Sequence, residues 1–107
     1  MNNLLAHPQF AEAIEILFAH KPKKKQLLKL AEETNELATA IMKKINKGDP
    51  DENILEEMID VEVNLHLIYR HFTEKERRDM VARKIEKMMG SKDLKKYRAK
   101  ASQACHT

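Results

Sequence analysis

Between residues 26 and 69 apolar side chains recur at helical spacing, and one interruption, Gly48-Asp49-Pro50, divides that stretch into two long helices. Leu27, Leu30, Thr34, Leu37, Ile41 and Ile45 form a single stripe in the first, predicted to run from about Lys23 to Lys47. Asp49 is placed to cap the second, Pro50 fits its first turn, and Asp51 and Glu52 favour the positive helix end. This helix is expected to reach about Phe72. Leu55, Met58, Ile59, Val61, Leu65, Leu67, Ile68 and Tyr69 leave it few polar sides, so it requires cover on more than one face. In a chain of 107 residues a partner subunit is the expected source of that cover.

The flanking sequence is helical as well. Pro8 suits a first turn, and Phe10, Ala13, Ile14, Leu17 and Phe18 repeat at helical spacing up to His20. Lys21-Pro22-Lys23-Lys24-Lys25 then reads as a solvated connection. Thr73 followed by Glu76 matches a capping box and opens a helix ending near Gly90. Its apolar members, Met80, Val81, Ile85, Met88 and Met89, suit a core or a subunit interface. Residues 91–107 form a basic C-terminal tail, expected to hold a helical turn or two and then fray. With 42% hydrophobic residues, five aromatics and two glycines, the chain is expected to be all-α: one domain over residues 1–107, four main helices in a bundle, assembled as a homo-oligomer.

Charge and cysteine content narrow the function classes. The net charge of +3 comes from lysines and arginines largely interleaved with acids, and no aromatic stands among the lysines of residues 21–29, so nucleic-acid binding is not implied. No apolar run approaches membrane-spanning length. Cys105 has no partner for an intramolecular disulfide, and Met1-Asn2-Asn3-Leu4-Leu5 lacks the pattern of a secretion signal. The expected location is cytoplasmic.

Two acidic motifs sit inside the apolar stretch. Glu33 with Glu36, and Glu57 with Asp60, each place two carboxylates on one helix face, where they repel. The ordinary remedy is a basic residue one turn away, as with Asp79 and Arg83 further on. Here Thr39 and Ala40 follow Glu36, Val63 and Asn64 follow Asp60, and Lys29 alone precedes Glu32 and Glu33 by a turn. The missing partner of these acids is therefore read as a bound cation, Mg2+ first and Mn2+ second, since carboxylate oxygens suit hard ions. Glu33 lies at the edge of the apolar stripe, with Glu32 and Glu36 further round, so the acids are expected to line a groove beside the packed face.

Glu33-x-x-Glu36, twenty intervening residues and then Glu57-x-x-Asp60 resembles the MazG-like family of all-α nucleoside triphosphate pyrophosphohydrolases. Gln26-x-x-Lys29-x-x-Glu32-Glu33-x-x-Glu36-Leu37-Ala38 is similar to that family's second-helix consensus. The resemblance implies that Glu33, Glu36, Glu57 and Asp60 hold Mg2+ against a triphosphate and that water attack at the α-phosphorus releases a nucleoside monophosphate and pyrophosphate. It places Glu32 beside the site, as a base, a supporting acceptor or a solvent-facing residue. Asn64 is a candidate for orienting a ligand or a simple buried amide. Lys29, Lys84 and Lys87 are candidates for phosphate binding or solvated lysines. Phe10, Phe18 and His20 do not align with the family's base-contacting residues, which leaves the base and sugar open.

His66 and His71 fall on different faces and are read as structural, and Tyr69 and Phe72 as core. Rival readings are the related phosphoribosyl-ATP pyrophosphohydrolases, which share the carboxylate logic, and a non-catalytic helical interaction module built on the Met-rich helix and basic tail.

Overall fold

The computed structural model describes residues 4–105 and is all-α. A 3-10 helix, Leu4–Ala6, precedes α1 (Pro8–His20), α2 (Lys23–Lys47), α3 (Asp51–Tyr69), α4 (Glu74–Met89) and α5 (Lys92–Cys105). No strand occurs among the described residues, and no helix is long and apolar enough to cross a membrane. The chain divides into two compact units, Met1–His71 with α1 to α3 and Phe72–Thr107 with α4 and α5.

In the first unit α2 and α3 form an antiparallel hairpin. Gly48 ends α2 in the left-handed region at φ 72°, and its N–H bonds to the Lys44 carbonyl at 3.0 Å. Lys44 Nζ then spans the connection to Asp51 Oδ1 at 3.0 Å. At the opposite end of the hairpin the Gln26 side chain meets His71. Pairing 44 with 51 at one end and 26 with 71 at the other fixes the register, and the acidic motifs fall between them.

α1 closes the far end of this hairpin. Ile14, Leu67 and Ile68 are the buried apolar residues, flanked by the Phe10 and His66 rings at 5.6 Å and the Phe18 and His71 rings at 4.8 Å. Arg70 pairs with Glu15 and lies 4.9 Å from the Phe18 ring centroid. Gln26, 1% exposed, donates from Nε2 to the Lys21 carbonyl and accepts at Oε1 from His71 Nε2, both at 2.7 Å. Because the amide nitrogen is committed to a carbonyl, its oxygen needs a donor, so His71 carries a proton on Nε2. Both histidines pack their rings against α1.

Several boundaries depart from the sequence reading. α3 ends at Tyr69 rather than Phe72, and its N-cap is Pro50 with no side-chain cap, so Asp49 does not cap it. Pro50 is extended, at φ −60° and ψ 142°, so the helix starts at Asp51, whose carboxylate faces Lys44. Tyr69 and Phe72 are exposed, not core.

In the second unit, the Thr73 hydroxyl accepts from Glu76 N–H and the Glu76 carboxylate accepts from Thr73 N–H, each at 3.0 Å, forming the anticipated capping box. The basic tail, by contrast, is a 14-residue helix, α5, so the described chain has five α-helices where four were expected. The Ser91 hydroxyl accepts from Leu94 N–H at 3.2 Å and starts it. The Cys105 side chain and residues 1–3, on which part of the compartment reading rested, lie outside the described residues.

Candidate metal centre

The hairpin register brings Glu33 and Glu36 of α2 opposite Glu57 and Asp60 of α3. One carboxylate oxygen from each lies within 4.8 Å of all the others. Ligands on opposite sides of a single Mg2+ are separated by about 4.2 Å at bond lengths near 2.1 Å, so modest side-chain rotations close four oxygens onto one ion.

Their environments differ in a way that follows from the helical faces. Glu33, at the edge of the apolar stripe, is only 5% exposed, whereas Glu36 further round is exposed. Glu33 Oε1 accepts from Lys29 Nζ at 2.9 Å. Its other oxygen, Oε2, is buried without a hydrogen-bond partner among the described residues, and so is Oε2 of Glu57. A buried carboxylate oxygen without a partner loses its hydration and recovers nothing in exchange, which costs on the order of 1–3 kcal/mol or more. Two such atoms in one four-carboxylate cluster fit a cation.

Electrostatics agree with the geometry. The Glu36 carboxyl is pushed above the usual carboxylate range, chiefly by the Glu33 charge, then by burial and by Glu57 and Glu32. Lys29 is pushed up, first by its hydrogen bond to Glu33 and then by the charges of Glu32 and Glu33. It therefore stays an ammonium, yet it satisfies one oxygen of one acid. The hard oxygen donor set suits a divalent ion of the Mg2+, Mn2+ or Ca2+ kind.

The other residues singled out from the sequence divide by position. Lys29 is engaged with Glu33, and Glu32 is exposed with a carboxylate oxygen 3.9 Å from the same ammonium. Asn64 is half-buried and folds back on its own helix, donating from Nδ2 to the Asp60 carbonyl at 2.9 Å. Lys84 and Lys87 are exposed on α4, in the second unit.

An open groove of about 390 Å3 runs along the same side of the hairpin, with Glu36 and Glu57 in its wall. Asn35, Thr39 and Lys43 of α2 and Asn53 and Glu56 of α3 line the rest, with Ala40 and Asp49. Sequence reasoning gave these residues no part in a site. The signal was nonetheless present: Asn35, Thr39 and Lys43 recur every fourth residue, and Asn53 lies one turn before Glu57.

No family model, curated protein or solved structure matches this chain. The site rests on its own chemistry.

Proposed function

We propose that the chain is a Mg2+-dependent nucleoside triphosphate pyrophosphohydrolase of MazG-like type, acting as a homodimer or homotetramer in the cytoplasm. The observation that carries this reading is the convergence of four carboxylates, two of which bury an oxygen without a partner. A cluster of this kind is unfavourable for the protein by itself and suits a cation, and Mg2+ held by carboxylates commonly completes its coordination with the phosphates of a substrate.

Glu33, Glu36, Glu57 and Asp60 would hold the ion, with Mn2+ as a substitute. Bound there, it would neutralise phosphate oxygens and stabilise charge on the departing pyrophosphate. Lys29 holds Glu33 by Oε1, which leaves Oε2 buried and without a partner, free to bind the ion. Glu32, exposed and adjacent to Glu33 in the chain, would accept a proton from the attacking water. That water forms the new bond to the α-phosphorus as the bond to the bridging oxygen breaks, giving a nucleoside monophosphate and pyrophosphate. In this reading Asn64, one N–H of which is committed to the Asp60 carbonyl, offers the substrate its carbonyl oxygen and its second N–H.

The test is pyrophosphate release from a panel of canonical and modified nucleoside triphosphates and phosphoribosyl-ATP, with Mg2+ or Mn2+, beside a Glu33→Gln, Glu36→Gln double variant checked for folding. Metal-dependent release by the native chain and its loss in the folded variant support the proposal. Absence of release across the panel overturns it.

The non-catalytic interaction module is favoured by a different observation, the exposed apolar side chains of α4: Met80, Val81, Ile85, Met88 and Met89. It requires partner binding that survives neutralisation of the acid quartet.

A further inference from the structure

The groove beside the quartet has a chemistry of its own. At about 390 Å3 it lies within the range of small-molecule sites, about 300–1,000 Å3. Ala40 is the one purely apolar residue lining it, and no aromatic ring does. A nucleobase is held most effectively by stacking on an aromatic ring, which this groove lacks. Phosphates are disfavoured too, because Lys43 is the sole cation facing Glu36, Asp49, Glu56 and Glu57.

What the lining offers is acceptors. Glu56 and Asp49 present carboxylates, and Asn35 and Asn53 present side-chain amides. The Thr39 hydroxyl already donates to the Asn35 main-chain carbonyl at 2.9 Å, so its oxygen is left to accept. Vicinal hydroxyls are the ligand groups that match such a wall, since each donates to a carboxylate or amide oxygen and accepts from an amide N–H or the Lys43 ammonium.

We infer that this groove seats the sugar of a ribonucleotide through its 2′ and 3′ hydroxyls, making the chain selective for ribonucleotides over their deoxy counterparts. The inference rests on the pyrophosphohydrolase reading for what lies at the quartet, because Glu36 and Glu57 belong to both the quartet and the groove wall and so join the two sites. Asn53 and Glu56, neither of them in the quartet, are the specificity-determining residues. A site that hydrogen-bonds a substrate hydroxyl rejects the analogue lacking it, because its polar groups are left without a partner.

The experiment compares matched pairs. Pyrophosphate release from ATP and dATP, and from CTP and dCTP, is measured with Mg2+, and calorimetry measures the affinity of α,β-methylene ATP and its 2′-deoxy form for the full chain. The ribose forms are expected to bind at least about tenfold more tightly, with the difference in KM rather than kcat. Asn53→Ala with Glu56→Gln should bring the two affinities together, and retained Mg2+ binding without nucleotide shows that this variant is folded. Equal affinities in the native chain, or tighter binding of the deoxy form, overturn the inference. A ribose preference in binding with no pyrophosphate release sustains the sugar assignment while removing the hydrolase reading.

Discussion

Glu36 and Glu33 are one turn apart and experience different surroundings, and that difference decides how each responds to substitution. Glu33 is buried, paired through Oε1 with Lys29 and unpartnered at Oε2. Lys29→Met removes the one cation that compensates it and is expected to lower the thermal stability of the metal-free protein, as read by calorimetry. Glu36 is exposed and repelled chiefly by Glu33. Glu36→Gln is therefore expected to raise the melting temperature of the metal-free protein at neutral pH while weakening Mg2+ binding more than about tenfold. A fall in both quantities would mean that the quartet is not held together against its own repulsion. Gln26 shows the same logic without charge. Gln26→Leu leaves the Lys21 carbonyl and His71 Nε2 without their partner and is expected to cost about 2 kcal/mol in urea denaturation.

At the scale of helices, the ends are where sequence and structure agree or part. Thr73 and Glu76 close a capping box whose pattern is local, so it was legible in four residues. The Glu76 carboxyl is held below its ordinary range, first by the Thr73 N–H and then by the Thr73 side chain. A carboxyl depressed in the folded state contributes stability above its unfolded value and loses it as the pH falls through the folded one. Thr73→Ala is expected to cost about 1 kcal/mol and to relieve only the smaller, side-chain part of the Glu76 shift, as followed by NMR, because the main-chain N–H at position 73 remains. Ser91 starts α5 by an equivalent bond to Leu94 N–H, but no acid stands three residues on to complete the pattern, and the basic composition suggested a frayed tail. Asp49 failed as a cap for the opposite reason: the residue type was right, but Pro50 is extended and takes the N-cap position itself. Gly48→Ala should cost about 1 kcal/mol through backbone strain alone, since nothing lies within 4 Å of the added Cβ.

Over the whole molecule, many large apolar side chains are left facing solvent, Ile45 at 69% exposure foremost, together with Leu28, Leu55 and Met58. Surface of this kind marks interaction sites in native proteins. Leu55, Met58 and Ile59 of α3 remain exposed among the described residues, which is the physical basis for proposing a homo-oligomer. Sedimentation velocity is expected to show a species larger than a 12.5 kDa monomer, and Ile45→Glu to shift it towards monomer. Sedimentation as a monomer at all concentrations would remove that part of the proposal.

The sequence by itself determined what is local or periodic: the all-α class, the extents of α1, α2 and α4, the capping box, and the two acid pairs with too little basic compensation. Each depends on neighbours within about one helical turn, which a linear string displays. Tertiary structure decided what depends on the register between α2 and α3. Packing one helix on the other buries Glu33 and leaves Glu36 exposed, strands two oxygens, and opens a groove between Asn35, Thr39 and Lys43 on one side and Asn53 and Glu56 on the other. Helical spacing says which residues share a face. Only the antiparallel pairing, set by Gly48 at one end and the Gln26 bond to His71 at the other, says what that face meets.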